Sequence, residues 1–127
     1  MARPPARELT ERELEVMHVF WKRGQMTPVE ARDHLAEVGL ERNYTTVANL
    51  VRILHDKGFL EQTNSERPFR YQPVRSFEEV SSRLLDDMID RVFRGSREQL
   101  LLRLVKQRRL TAKERAVLQE VLQERNP

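Results

Sequence analysis

The stretch Asn43–Val74, NYTTVANLVRILHDKGFLEQTNSERPFRYQPV, decides the fold, because it reads as a helix that stops at a glycine and runs directly into two short strands. Val47, Leu50, Val51 and Leu54 recur at the i, i+3, i+4, i+7 spacing of one buried helix face, which leaves Thr46, Asn49, Arg52 and Asp56 on the other. Thr45 is expected to cap the first turn, with Tyr44 ahead of it as an apolar anchor. Gly58 stands where a left-handed residue ends a helix. Beyond it, Phe59-Leu60-Glu61-Gln62 and Phe69-Arg70-Tyr71-Gln72 are strand-like runs around the polar loop Asn64–Pro68, with Arg67 at or beside its tip. A helix that leads into such a hairpin has the form of the recognition helix and wing of a winged helix-turn-helix domain.

The residues upstream supply the rest of that domain. Thr10 with Glu13 spells a capping box, and Leu9 with Leu14 its hydrophobic staple, so a first helix is expected from there to about Gly24. Leu14, Met17, Phe20 and Trp21 form its apolar face and are assigned to packing. Thr27-Pro28-Val29-Glu30 repeats the start signal, with proline at the first helical position. The second helix is expected to reach about Val38, with Ala31 and Leu35 facing inward and Gly39 ending it. This is helix-turn-helix order, in which the second helix braces on the DNA backbone and the N-terminal half of the third enters the major groove. Residues 1 to 8, with Arg3, Pro4, Pro5 and Arg7, lack periodicity and read as an arm.

After Pro73 the pattern changes. Ser76 with Glu79, Ser96 with Gln99 and Thr111 with Glu114 are three further capping boxes, each opening a helical run. The division expected is therefore a winged helix domain at 1–75 and a helical domain at 76–127, mainly α overall. The apolar residues of the second part, among them Leu84, Leu85, Met88, Val92, Leu101, Leu104, Val105, Leu118 and Leu122, exceed what so short a segment can hide by itself. A second copy of the chain is the expected cover; folding back on the N-terminal domain is the alternative.

Composition excludes several functions. The chain has no cysteine, so it has no disulfide framework, thiolate metal site or cysteine nucleophile. His18, His34 and His55 are far apart and form no i, i+4 pair, so no metal site is expected. Asp86, Asp87 and Asp90 are followed four residues after Asp87 and Asp90 by Arg91 and Arg94, the order of a solvated ion-paired helix face. No phosphate-cradling glycine loop or nucleophile elbow is present, so neither an enzyme nor a cofactor is expected. No apolar run approaches the ~20 residues needed to cross a bilayer, and the N-terminus has no apolar signal region. A cytoplasmic protein without a membrane partner is expected.

The formal net charge is only +3. From residue 42 to 75, however, six basic residues stand against three acidic ones, so the positive excess falls on the recognition helix and wing. Asparagine can pair bidentately with adenine and arginine with guanine, while threonine offers a hydroxyl and a methyl. Thr45, Thr46, Asn49 and Arg52 are therefore the candidate groove contacts. Arg67 and Arg70, near the wing, are placed for phosphate or the minor groove. Arg70 has the alternative of pairing with Glu61 across the hairpin.

Leu9-Thr10-Glu11-Arg12-Glu13-Leu14-Glu15-Val16-Met17, then Trp21, Tyr44-Thr45-Thr46-Val47, Leu50, Leu54, Lys57-Gly58 and Phe69-Arg70-Tyr71 together resemble the BlaI/MecI penicillinase-repressor family. The resemblance runs from Leu9 onward over nearly the whole chain. It implies a homodimeric repressor that binds double-stranded operator DNA, controls β-lactamase or cell-envelope stress genes, and answers to an upstream sensor or protease. Antibiotic-responsive members are cleaved at an Asn-Phe bond in the dimerisation domain; the aligned pair here is Arg103-Leu104, so the resemblance does not carry that cut over. Copper-responsive members end in a cysteine motif that this chain lacks. Two other readings stay open on the residues alone: a winged helix that binds protein without specific DNA recognition, and a repressor that senses a small molecule.

Overall fold

Two threonines set the first two helices in the computed structural model, which describes residues 9–107 and 109–125. The arm expected over residues 1 to 8 lies outside the described residues. The Thr10 hydroxyl accepts the backbone N–H of Glu13, and the Glu13 carboxylate accepts that of Thr10, opening α1 (Glu11–Arg23). Thr27 and Glu30 repeat the exchange at α2 (Pro28–Glu37). Each box satisfies two N–H groups that the start of a helix leaves without intrahelical partners.

The third helix, α3 (Tyr44–Asp56), begins two residues earlier than the threonine cap required. Its cap is Asn43, whose side-chain oxygen accepts the Thr46 backbone N–H at 2.8 Å. Thr45 lies inside the first turn. Both residue types cap well, but Asn43 has the extended backbone of a cap, with φ −76° and ψ 162°, and so takes the role. At the other end Gly58, with φ +86°, lets its N–H reach His55 O at 3.0 Å and the Phe59 N–H reach Leu54 O at 2.9 Å. This paired closure needs a left-handed residue, which glycine adopts without a Cβ penalty.

The chain then forms β1 (Leu60–Gln62) and β2 (Tyr71–Pro73), antiparallel, with Glu61 opposite Gln72. The strands are shorter than the expected runs: Phe59 belongs to the turn and the core, and Phe69 and Arg70 to the loop side of the hairpin. Tyr71 also exchanges both backbone hydrogen bonds with Met26, at 2.8 and 2.9 Å, which ties β2 to the α1–α2 connection. Three further helices follow, α4 (Phe77–Val92), α5 (Arg97–Gln107) and α6 (Ala112–Arg125).

The chain divides into two compact units, Met1–Leu84 and Leu85–Pro127. The core of the first contains Val16, Met17, Phe20, Leu35, Val47, Val51 and Leu54, joined by Phe59 and Leu60 behind the wing and Val80 from α4. On α1, Val16 and Val19 are buried as well as Met17 and Phe20, while Trp21 is only partly covered. The Trp21 indole N–H donates to Arg75 O at 2.9 Å, and its ring meets Phe77 edge-on. In the second unit Asp87 and Arg91 form the expected i, i+4 pair at 3.3 Å. Of the three C-terminal boxes, the one at Thr111 is reciprocal. Ser76 and Ser96 accept the N–H of Glu79 and Gln99, and the Glu79 carboxylate turns to Arg75 at 2.8 Å.

One buried carboxylate links the two helices that matter most. Glu13 is 4% exposed, and one of its oxygens accepts both from Thr10 N at 2.9 Å and from Lys57 Nζ at 2.8 Å. Burial pushes this carboxyl up, but the hydrogen bonds and charge of Lys57 and the bonds from Thr10 outweigh it, leaving it below its ordinary value of 4.5. A depressed value means that the pair's contribution is full above the unfolded-state value and is lost as pH falls through the folded one. Lys57→Met, which leaves the carboxylate buried without its cation, should cost about 3 kcal/mol at neutral pH by urea unfolding. The gap to the wild type should narrow as pH falls through the lowered Glu13 value; a gap constant with pH would contradict this assignment.

Candidate nucleic-acid interface

With Val47, Val51 and Leu54 in the core and Leu50 packed against it, α3 presents its other side outward. Thr45, Asn49 and Arg52 are exposed there, and Thr46 is half-buried at the first turn. Arg52 and Asp56 approach only to 3.9 Å, with both side chains about two-thirds exposed, 66% and 63%. A pair of that length in water contributes little, so Arg52 retains freedom to engage another acceptor. Asn49 and Arg52 are one turn apart, the separation at which two side chains on a groove-seated helix address neighbouring bases.

The start of α3 is braced from behind. Arg42 donates to both Glu15 carboxylate oxygens, at 3.1 and 3.2 Å, with both side chains mostly covered. A single guanidinium nitrogen, Nη2, thus spans both oxygens, and this charge-assisted contact ties the α2–α3 connection to α1. Gly39 closes α2 in the same way as Gly58 closes α3, with its N–H on Ala36 O and that of Leu40 on Leu35 O. With Lys57 bound to Glu13 at its other end, α3 is thus held at both ends by side chains that do not face its outer surface.

The wing is joined to that helix by His55, whose ring meets Tyr71 edge-on at 5.8 Å. Arg67 is exposed on the loop, with its guanidinium 5.1 Å from the centroid of the Phe69 ring. Arg70 does not pair with Glu61. It reaches Glu30 at 3.3 Å and Gln25 O at 3.5 Å, while Gln72 donates to Glu61 at 2.6 Å. Glu30 is already fixed by capping α2, so it stands ready for Arg70. Its carboxyl lies below the ordinary range, first because of the Thr27 N–H bond, against a smaller upward push from burial, and then because of the Arg70 charge. Arg70 therefore tethers the wing to the start of α2, a tertiary role absent from the hairpin pattern.

Two residues of this surface escaped the sequence reading. Asn43 was legible in principle as a capping asparagine three positions before Thr46. Asn64, which binds the loop backbone at several points, carried no signal beyond a polar turn composition.

The candidate dimer residues are spread over the last three helices. Leu84 is partly buried against the core of the first unit. Leu85, Met88, Val92, Leu101, Leu104, Val105, Leu118 and Leu122 are exposed, from 38% at Met88 to 66% at Val92. Among the described residues, α5 buries none of its side chains. No described helix is long and apolar enough to cross a membrane, and no group of three or more metal-ligating side chains occurs among the described residues.

A family model described as penicillinase repressor matches residues 9–124. The chain belongs to the penicillinase repressor family. It is similar to the methicillin resistance regulatory protein MecI of Mammaliicoccus sciuri, 23% identical over 117 residues that cover 91% of this chain and 93% of that protein. The solution structure of the DNA-binding domain of the repressor BlaI covers 62% of this chain and 93% of its own, with 26% identity and a TM-score of 0.50. A MarR variant from E. coli complexed with operator DNA shares the fold, with 20% identity, coverage of 94% of this chain and 77% of that one, and a TM-score of 0.50. The protein is thus a winged-helix DNA-binding regulator of a repressor family, and that family is not one of enzymes.

The cap assignment has a direct check. Asn43→Ala should lower stability by about 1 kcal/mol, whereas Thr45→Ala should change it by less than about 0.5 kcal/mol. Thermal melts that ranked the two in the opposite order would restore Thr45 as the cap.

Proposed function

We propose that this repressor acts as a homodimer that reads a pseudo-palindromic operator, with two copies of α3 in successive major grooves about 34 to 36 Å apart. The observation that carries this reading is the exposed, weakly partnered pair Asn49 and Arg52 on the outer face of a helix whose other side is sealed into the core. Thr45 and Thr46 contribute hydroxyls at the helix start, Arg67 a phosphate contact from the wing, and Arg70 both a wing tether and a cation near the backbone. The exposed leucines and valines of α5 and α6 support a second copy as their cover, because patches of this kind in solution call for a partner. The domain organisation proposed is a winged helix at 1–75 for DNA and helices at 76–127 for assembly; the first compact unit runs on to Leu84, so the start of α4, with Val80 in the core, packs with the DNA-binding part. Occupation of a promoter would exclude polymerase, the proposed targets being β-lactamase or cell-envelope stress genes, the first of them in keeping with the family's description as penicillinase repressors. Release awaits a sensor, protease or ligand; Arg103 and Leu104 lie within α5, so a cut there would have to open helical backbone.

Selection of bound duplexes from a random pool, followed by salt-titrated binding of the winner against scrambled DNA, tests the proposal. An inverted repeat is expected, with affinity falling ~10³ to 10⁵-fold between about 50 and 200 mM salt if six to ten phosphates are contacted. Lack of enrichment and weak, low-salt binding would favour a protein-binding winged helix. Asn49→Ala should cost about 1 to 3 kcal/mol at its own base position and leave other positions unchanged. Unaltered preference at every position would remove Asn49 from base reading.

The assembly proposal has its own check. Leu101→Asp should give monomers in sedimentation and a much weaker operator complex. An intact dimer in that variant would exclude this part of α5 from the interface.

A further inference from the structure

The tip of a hairpin is ordinarily its least ordered part, and an arginine carried there gives up backbone and side-chain freedom when it docks on a phosphate, which weakens binding. The loop between β1 and β2 is built against that loss. Asn64 Oδ1 accepts the Arg70 backbone N–H at 2.8 Å, and its Nδ2 donates to Glu66 O at 3.0 Å and to Pro68 O at 3.1 Å. Its own carbonyl accepts from Gln62 Nε2 at 2.6 Å, and Thr63 N donates to Arg70 O at 2.8 Å beneath it. A carboxamide has one acceptor and two donors, and here the oxygen and the nitrogen both bind loop backbone. Glu66 and Pro68 are the neighbours of Arg67, so the backbone is pinned on both sides of the exposed cation. The guanidinium itself is steadied over the Phe69 ring. An aspartate at position 64 would lack the donors, and a serine the reach.

We propose that Asn64 is a positioning residue for DNA binding, holding the wing so that Arg67 meets a backbone phosphate without first being ordered. This rests on the operator-binding reading above and deepens it. The side chain of Asn64 is spent on loop backbone, so in this proposal it acts through Arg67 and on all sequences alike.

The test uses the full chain as wild type, Asn64→Ala, Arg67→Ala and the double variant, each titrated with salt on a selected operator and on scrambled DNA. Hydrogen exchange of the Arg70 amide is measured alongside. Asn64→Ala is expected to speed that exchange, to keep the melting temperature, and to weaken both duplexes on the order of tenfold while the salt slope loses about one unit. Arg67→Ala should do the same to binding, and the double variant should be no weaker than the weaker single variant. A purely structural role would instead lower the melting temperature and leave the salt slope unmoved. Wild-type binding by Asn64→Ala, an unchanged Arg70 exchange rate, or losses that multiply in the double variant would each overturn the proposal. Failure of the wild type itself to bind duplex with a steep salt slope would remove the operator reading and this inference together, an outcome distinct from those three.

Discussion

The arrangement depends on one carboxylate that is almost wholly buried. Glu13 caps the start of α1 and, through the same oxygen, receives Lys57 at the end of α3. A buried carboxylate is tolerated only where hydrogen bonds and an opposite charge offset its lost hydration, and Lys57 also suits the negative end of the α3 dipole. The geometry of that contact fixes the beginning of one helix against the end of another. Between them the apolar faces of α1 and α3 close around Phe20, Met17, Val47 and Leu54, none of which is exposed. The left-handed glycine directly after Lys57 then turns the chain into the wing, so the directions of α3 and of the hairpin are set within three residues of one ion pair.

Charged residues in the winged helix unit divide by task according to how firmly they are held. Arg42, bound to both oxygens of Glu15, and Lys57, bound to Glu13, are largely covered and belong to the scaffold. Arg52 and Arg67 are exposed, the first beside a distant carboxylate and the second over an aromatic ring. Arg70 stands between these groups, bridging the wing to the capping glutamate of α2. The six-to-three basic excess from residue 42 to 75 therefore overstates the cations at the surface.

Much of this was legible in the sequence because it is local. Capping boxes, the 3.6-residue spacing of Val47, Leu50, Val51 and Leu54, and glycines after the last helical turn each signal through neighbours a few positions apart. The Asn43 cap was missed because periodicity fixes the face of a helix but not its first residue, and Asn43 and Thr45 are both good caps. The Arg70–Glu30 bridge and the Trp21–Arg75 bond join residues some 40 and 54 positions apart, so no local pattern announces them. Glu13 illustrates the same limit within one residue. Its capping role was readable from Thr10, whereas its partnership with Lys57 required the fold. In the second unit the helices were foreseen from their caps, and their exposed apolar side chains follow from an excess that one short segment has no room to hide.

Apart from His55 at its edge, which meets Tyr71 of the wing, the outer face of α3 has no part in holding the domain together. Its ends are secured by Asn43 and Gly58, its inner face by the core, and its pose by Arg42 and Lys57 through contacts made elsewhere. Exposed positions outside such contacts tolerate substitution with little effect on stability. Residues 45, 49 and 52 are therefore free to drift. On the proposed reading of these residues as base contacts, a lineage built on this scaffold would acquire a new target vocabulary by point changes at a few codons while the fold stays fixed, its specificity evolving separately from its architecture.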